Sequence, residues 1–232
     1  MHLTANRKGV VIGKMKVIDR YGGEEEEIDI SKLGRSGWAI PSDVDNNIDF
    51  VDIKAKYVLV VEKDAIWQRL NEDGFWKKED VILITPQGQA SRGARRLIRK
   101  LSDMGLPVYV FNDCDAWGWY IYWTIKAGSM NLAYINHELA TPKARFLGVT
   151  ISDIERYSFL KNLTLKATEL DLKRAQELLS YEWISKHKEW EIELKKVLKT
   201  KLKLEQDSLQ GPRLTFIGDY IRDKIKNNDL MP

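Results

Sequence analysis

Short stretches of alternating apolar and polar residues open the chain. Gly9-Val10-Val11-Ile12-Gly13 predicts a strand, and Met15-Lys16-Val17-Ile18-Asp19 predicts another that runs into the turn Arg20-Tyr21-Gly22-Gly23. The acidic run Glu24-Glu25-Glu26-Glu27 follows, before Ile28-Asp29-Ile30. A row of carboxylates can hold a metal, but on a strand it more simply marks the solvated edge of a hairpin. The pattern then changes. Four continuous apolar runs, at residues 57–61, 81–85, 108–112 and 145–149, predict strands buried on both faces. Helical spacing fills the intervals at residues 65–71, 92–104 and 118–126. Strand and helix in alternation predict an α/β fold, a mostly parallel four-stranded sheet with helices on its faces. The last part is charged and helical. Residues 171–183 and 186–206 carry Trp190, Leu194, Val197 and Leu198 near helical spacing among many Lys and Glu, and Gly211-Pro212 is expected to break the second helix. Three segments are therefore expected: a β-rich stretch over 1–54, an α/β core over 55–160 and a helical extension over 161–232.

Composition narrows the classes. The 232 residues are 44% hydrophobic, enough for a substantial core. Charged residues make up 31% of the chain but leave a net charge of only +3, so a case for nucleic acid must rest on where the charges sit. The single cysteine, Cys114, excludes an intrachain disulfide and a zinc site built on several thiolates. Met1 to Lys8 lack the apolar stretch of a signal peptide, and no run approaches the roughly 18 apolar residues of a membrane helix. A cytoplasmic protein is expected.

The candidate chemistry lies at strand ends. Glu62 follows the first buried run, and Asp113 and Asp115 follow the third. In open α/β sheets ligands collect at the carboxyl ends of strands. If the first and third strands are neighbours, the three carboxylates share one pocket. Asp113 and Asp115, two apart, point to one side of an extended segment. Unpaired carboxylates held together repel unless a cation intervenes, and Mg²⁺ suits a few carboxylates completed by water and phosphate oxygens. That reading is a Mg²⁺ site for phosphate-ester chemistry. The alternative stays open: strand ends meet water, and Asp64 and Asp115 can simply cap helices.

Residues 86–101 add a basic face. In a helix Arg92, Arg95, Arg96 and Arg99 lie together, with Leu97, Ile98 and Leu101 turned to the sheet and no acid inside the stretch. Such a face suits a nucleic-acid backbone. It also suits a helix paired with acids from elsewhere. The loop over residues 85–91 can offer backbone N–H groups to a phosphate. Cys114 reads as a small strand-end residue, and His2, His137 and His187 form no ligand pattern. Trp117, Trp119 and Trp123 cluster after the acidic pair; one can stack on a base, but packing in the core or between subunits is the simpler reading.

At these residues the chain resembles a known family. Leu59-Val60-Val61-Glu62-Lys63-Asp64-Ala65 with Gln68-Arg69-Leu70 is similar to the start of the Toprim domain in the A subunit of topoisomerase VI and its meiotic double-strand-break relatives. Ile84-Thr85, Gly88-Gln89 and the arginines Arg92, Arg95 and Arg96 resemble the next block. Leu106-Pro107-Val108-Tyr109 leading to Asp113, Asp115 and Gly118 resembles the third. Gly128-Ser129, Ala140-Thr141-Pro142, Phe146-Leu147-Gly148-Val149 and Asp153-Ile154 continue it, so the agreement runs in order over nearly the whole chain, from about Gly9 to Tyr220. The resemblance implies a Toprim fold, Mg²⁺ held by Glu62, Asp113 and Asp115 with Glu62 catalytic, and an enzyme that cuts both strands of DNA and passes a second duplex through the break. The partners it implies are double-stranded DNA and a B subunit that binds ATP. It also implies an A₂B₂ assembly, with the A subunits as a dimer, and a nucleoid setting. The family's nucleophilic tyrosine lies in a winged-helix domain before the Toprim domain; none of the nine tyrosines here stands in a matching context. Tyr120 and Tyr122 fall near the acids, on a helix expected to pack on the sheet. Two further departures are Ala116, where the family often has proline, and Ala90-Ser91, where it usually has Pro-Asp. Two other readings are carried alongside: a primase-like or nuclease-like Toprim enzyme, and a non-catalytic module that binds DNA or another subunit.

Overall fold

Alternation of buried and outward side chains shapes the first elements of the computed structural model, which describes residues 7–232. Contacts group the chain into two units, one with the described residues up to Val110 plus Trp123–Ala144, the other with Phe111–Tyr122 and Arg145–Pro232.

In the first unit β1 (Val10–Ile12) is followed by β2 (Met15–Tyr21) and β3 (Glu24–Asp29). After β4 (Trp38–Ala39) and the single turn α1 (Val44–Asn47) comes β5 (Ile48–Ile53). Strands β3, β2 and β5 form an antiparallel sheet in that order. Met15 and Val17 are buried, whereas Glu24 to Glu27 lie exposed on the outer strand. There Lys16 pairs with Glu27 at 2.7 Å and Arg20 with Glu25 at 2.6 Å, so the acidic run is a solvated hairpin edge.

The α/β part follows with β6 (Tyr57–Val61), α2 (Asp64–Glu72), α3 (Phe75–Glu79), β7 (Val81–Thr85), α4 (Arg92–Asp103) and β8 (Val108–Phe111). β6 and β7 run parallel, and every residue of both is buried. Continuous runs of Val, Ile and Leu fit such a two-sided burial. β1 adds an antiparallel strand between β7 and β4, a feature the apolar pattern did not foretell. On the other side β8 neighbours β6, where Val58 N donates to Pro107 O at 2.8 Å. The first and third buried strands are therefore adjacent. Ile66, Trp67 and Leu70 of α2 and Leu97, Ile98 and Leu101 of α4 are buried. The unit closes with the end of α5 (Ala116–Ala127) and α6 (Asn136–Leu139).

The second unit contains the first turns of α5, then β9 (Arg145–Gly148), α7 (Asp153–Arg156), β10 (Leu165–Lys166), α8 (Glu169–Leu179), α9 (Glu182–Ser185), α10 (Lys188–Thr200), β11 (Leu202–Lys203) and α11 (Phe216–Lys226). Trp190, Leu194 and Val197 give α10 its buried stripe. Trp190 stacks on Tyr122 at 5.4 Å, and Phe146 closes this aromatic cluster at 5.3 Å from Tyr122. The expected helix over 186–206 is corrected here: α10 stops at Thr200, where Lys201 takes a left-handed conformation, and β11 then pairs antiparallel with β10. Lys201 ends the helix, ahead of the Gly211-Pro212 break.

Two buried acids tie down the residues after β9. Asp153 accepts from Thr150 N at 2.8 Å, the Tyr220 hydroxyl at 2.7 Å and Lys224 Nζ at 3.2 Å. Glu193 accepts from Ile151 N and from the Ser152 hydroxyl at 2.6 Å. Gly148 has φ of 147°, and a methyl group there would overlap the Tyr220 hydroxyl oxygen. We expect Gly148→Ala to lower stability by roughly 2–4 kcal/mol, from the positive φ and overpacking together. Removing the hydroxyl with Tyr220→Phe should recover part of that loss in the double variant, although Tyr220→Phe alone costs about 1–3 kcal/mol by stripping Asp153 of a donor. Urea unfolding of the four proteins measures the cycle; simple additivity would show that Gly148 does not exist to admit Tyr220.

Candidate functional site

The loop that follows β8 carries two of the three candidate carboxylates, and neighbouring backbone fixes each of them. Asn112 is bound on its main chain to Gly148 O at 2.8 Å and Val149 N at 2.7 Å, and its side chain donates to Gly118 O at 2.9 Å. Asp113 is only 6% exposed, and its Oδ1 accepts from Gln206 N at 2.8 Å. Cys114 N donates to Leu204 O at 2.8 Å, so residues 204–206 run alongside the loop. The Gln206 side chain adds a bond to Phe111 O at 2.5 Å. Asp115 then turns into α5: its Oδ1 accepts from Trp117 N at 3.0 Å and Gly118 N at 2.9 Å, which is an N-cap. Gly118 must be glycine for a steric reason, since a Cβ there would overlap the Asp113 carbonyl oxygen.

Asp171 is a site residue that the strand-end argument missed. It is 3% exposed and accepts from Ala116 N at 2.9 Å, holding the residue after Asp115. It also closes a capping box with Thr168, whose N lies 2.8 Å away and whose Oγ1 lies 2.7 Å away. The sequence Thr168-x-x-Asp171 ahead of an apolar stripe is the available signal. Burial alone would raise the Asp171 pKa, but hydrogen bonds from Ala116 and Thr168 and the charge of Lys203 hold it below the usual carboxylate value. Lys203 Nζ lies 3.6 Å from Asp115 Oδ2 and 3.9 Å from Asp171 Oδ2. Lys203 and Gln206 fall in the stretch expected to be helical, which hid them.

Glu62 is placed in the first unit, one residue beyond β6, and is partly buried. Its carbonyl accepts from Gly88 N at 3.3 Å, tying the loop after β7 to the end of β6. In the same loop Gln87 N donates to Thr85 Oγ1 at 3.2 Å, and the Gln87 amide reaches Asp64 at 3.3 Å. These internal partners engage N–H groups that the phosphate reading of this loop would use. Asp64 opens the first turn of α2 but makes no cap bond; Lys63 holds the N-cap position.

The arginines of α4 have partners within their own unit. Arg92 pairs with Asp45 at 3.2 Å, and Arg96 pairs with the same carboxylate and donates to Glu138 O at 2.9 Å. Arg99 pairs with Asp103 at 2.8 Å and donates to Ala140 O at 2.6 Å. Arg95 is 2% exposed and reaches Ser129 and Asn136. The geometry is thus that of a helix paired with groups from elsewhere, and among these four Arg92 alone is exposed.

The remaining candidates separate by burial. Cys114 is fully buried, and burial, reinforced by the charge of Glu193, pushes its thiol pKa up, the opposite of a reactive cysteine. Tyr122 is buried, and burial raises its pKa; Tyr120 is at the surface, with the Arg174 guanidinium over its ring. Trp119 and Trp123 are buried, whereas Trp117 is 61% exposed. His137 is exposed, His187 precedes α10, and His2 lies outside the described residues.

Among the described residues no three His, Cys, Asp or Glu side chains converge within metal-binding reach as they stand. The chemistry of the donors nevertheless fits a hard cation. Asp113 and Asp115 offer oxygens on a loop already fixed by other atoms, and Mg²⁺ needs only one or two carboxylates when water and phosphate complete its shell.

The parallel strand pair, the flanking helices and the acidic loop after β8, with a separate antiparallel sheet ahead of them, define an α/β Toprim domain preceded by an all-β segment. Comparison agrees: the family described as the Toprim domain of Spo11 and the topoisomerase 6 A subunit matches residues 57–225, and the all-beta domain in DNA topoisomerase VI alpha subunit matches residues 8–54. The chain belongs to this Toprim family of Spo11 and the topoisomerase 6 A subunit. It is 43% identical over 240 residues to the A subunit of type 2 DNA topoisomerase 6 from Aeropyrum pernix, covering 99% of this chain and 60% of that protein. To the protein of the same name from Pyrococcus horikoshii it is 43% identical over 244 residues, covering 100% of this chain and 62% of the relative. The A3 subunit of DNA topoisomerase 6 from Oryza sativa subsp. indica is 32% identical over 231 residues, covering 99% of this chain and 51% of the plant protein. The chain thus spans about three fifths of the length of its archaeal relatives. No helix among the described residues is long and apolar enough to cross a membrane.

The lowered pKa of Asp171 sets a pH dependence. A carboxyl whose folded pKa lies below its unfolded value of about 3.9 contributes stability that is complete above that pH and is lost as pH falls through the folded pKa. Asp171→Asn should therefore be less stable than the wild type at pH 7, and the gap should shrink below about pH 4. Urea midpoints across a pH series read this directly, and a gap that stays constant or widens in acid would contradict the assignment.

Proposed function

We propose that this chain is the Mg²⁺-binding Toprim part of the DNA-cleaving A subunit of a type IIB, ATP-dependent DNA topoisomerase. The observation that carries the reading is the Asp113–Asp115 loop, whose carboxylates are positioned by Gln206 and by the start of α5, lying within the stretch that matches the Toprim family. In this reading Glu62, Asp113 and Asp115 hold the metal, and Glu62 is also the catalytic residue. When bound, Mg²⁺ would supply positive charge against the scissile phosphate. The protein's contribution is preorganisation: Asp113 and Asp115 each have one oxygen fixed by backbone N–H groups, so little ordering remains when a ligand arrives.

The reaction assigned is a transesterification. A tyrosine oxygen from a separate domain attacks phosphorus, the bond to the 3′ oxygen breaks, and the 5′ end stays on the tyrosine until the 3′ oxygen returns. Among this chain's tyrosines, the burial of Tyr122 argues against it as the nucleophile. Double-stranded DNA, a B subunit that binds ATP, a second copy of the A subunit, and a nucleoid location complete the proposal. The proposed organisation is a β-rich segment over 1–54, a Toprim core over 55–160 and a helical extension over 161–232.

Isothermal titration with Mg²⁺ or Mn²⁺ tests the site. Binding is expected for the wild type and should vanish in the double variant Glu62→Gln, Asp113→Asn; unchanged affinity would remove the metal reading. Of Arg92, Arg95, Arg96 and Arg99, proposed for the DNA interface, Arg92 has the exposed side chain, whereas Arg95, 2% exposed, would support the helix rather than touch a phosphate. Arg92→Gln should weaken duplex binding evenly across sequences and lower the salt slope by about one. A slope that does not change would take Arg92 out of the interface.

A further inference from the structure

We propose that Lys203 is the resident counter-cation of the Asp113–Asp115 loop, and that a divalent metal gains Asp115 by displacing its ammonium group. The inference rests on the metal reading above and adds a residue that sets the affinity of that site. Asp115 has two oxygens with different duties. Oδ1 is taken by Trp117 N and Gly118 N as the cap of α5, so Oδ2 is the oxygen turned to a cation, and it faces Lys203 Nζ at 3.6 Å. Asp171 lies behind the same ammonium at 3.9 Å and is itself anchored by Ala116 and Thr168. Lys203 therefore stands between two negative groups whose mutual repulsion would otherwise strain the loop.

Its mode of attachment makes it replaceable. The backbone of Lys203 is fixed opposite Leu165 in the β10–β11 pair. The ammonium is not fixed in the same way, because 3.6 and 3.9 Å exceed hydrogen-bond length and describe an ion pair without a direct bond. A four-carbon stem with a compact charge can swing aside while the strand stays in place. A metal that brings two charges to Asp115 Oδ2 repels the ammonium and supplants it. In the metal-free protein Lys203 stabilises the loop; toward the metal it is a competitor.

The test compares the wild type with Lys203→Met and Lys203→Arg at constant ionic strength. Removing one positive charge a few ångströms from a divalent ion, at side chains only 13–17% exposed, should tighten Mg²⁺ binding by at least about tenfold. Calorimetric titration should show that gain for Lys203→Met, together with a lower Tm in EDTA, whereas Lys203→Arg should keep the wild-type affinity. A residue that merely supported the fold would lower Tm and affinity together, so equal or weaker binding by Lys203→Met overturns the inference. A second measurement needs no variant: amine acetylation of the wild type, read by mass spectrometry, should label Lys203 faster with Mg²⁺ than in EDTA. Unchanged or slower labelling refutes displacement. If the wild type binds no metal, the metal reading fails and this inference falls with it; if Mg²⁺ binding depends on Asp113 and Asp115 but not on Lys203, the inference alone fails.

Discussion

Asp113 and Asp115, with one residue between them, and Asp171 behind them are like charges that repel one another, and much of the second unit is arranged around holding them. Asp113 is met by a backbone N–H from Gln206, Asp115 by the first N–H groups of α5, and Asp171 by Ala116 and by its own capping box. Lys203 supplies the positive charge. Residues expected to form a helical extension thus provide the supports of the acidic loop: α8 delivers Asp171 at its first turn, and the stretch after α10 delivers Lys203 and Gln206. Removing that stretch would take from the loop its Leu204 bridge and the only counter-charge the structure gives Asp115 among its described ion pairs.

Readability of the sequence followed the range of the interaction. β6 and β7 were legible because burial on both faces demands unbroken apolar runs, and α4 because its apolar stripe repeats over three turns. The end of α10 was not, because Lys201-Leu202-Lys203-Leu204 is too short to separate a helical from an extended period, and the left-handed turn at Lys201 has no glycine to announce it. The arginines of α4 were legible as a shared face, with pairing to distant acids left open, but their partners were not legible. Asp45 and the carbonyls of Glu138 and Ala140 lie far away in sequence, and only the fold brings them to the helix. Asp171 left a local signature in Thr168, but nothing local connected that cap to Ala116.

Burial also separates residues that the sequence placed in one group. Trp117 and Trp119 follow the acidic pair two residues apart, yet Trp119 is enclosed in the core while Trp117 stands in solvent, nearly perpendicular to the Tyr120 ring. The helical period turns them to different sides of α5, so proximity to the acids in sequence does not make them a common surface. Glu193 and Asp153 illustrate the converse. Each is a buried carboxylate that a search for catalytic acids would retrieve, but their oxygens are occupied by Ile151, Ser152, Thr150, Tyr220 and Lys224. Full satisfaction marks them as structural.

The same criterion shows why capping and ligation are compatible at Asp115. A carboxylate has two oxygens, and a helix N-terminus uses one of them; the dipole of α5 and its two N–H groups fix Oδ1 and thereby orient Oδ2. The cap reading and the metal reading of this residue concern different atoms. A side chain that spent both oxygens internally, as Asp171 does with Ala116 and Thr168, can position a loop but is poorly placed to give itself to an ion. Asp171, with both oxygens engaged, supports the loop, whereas Asp115 keeps Oδ2 for the ligand role proposed above, a distinction that the residue types alone do not make.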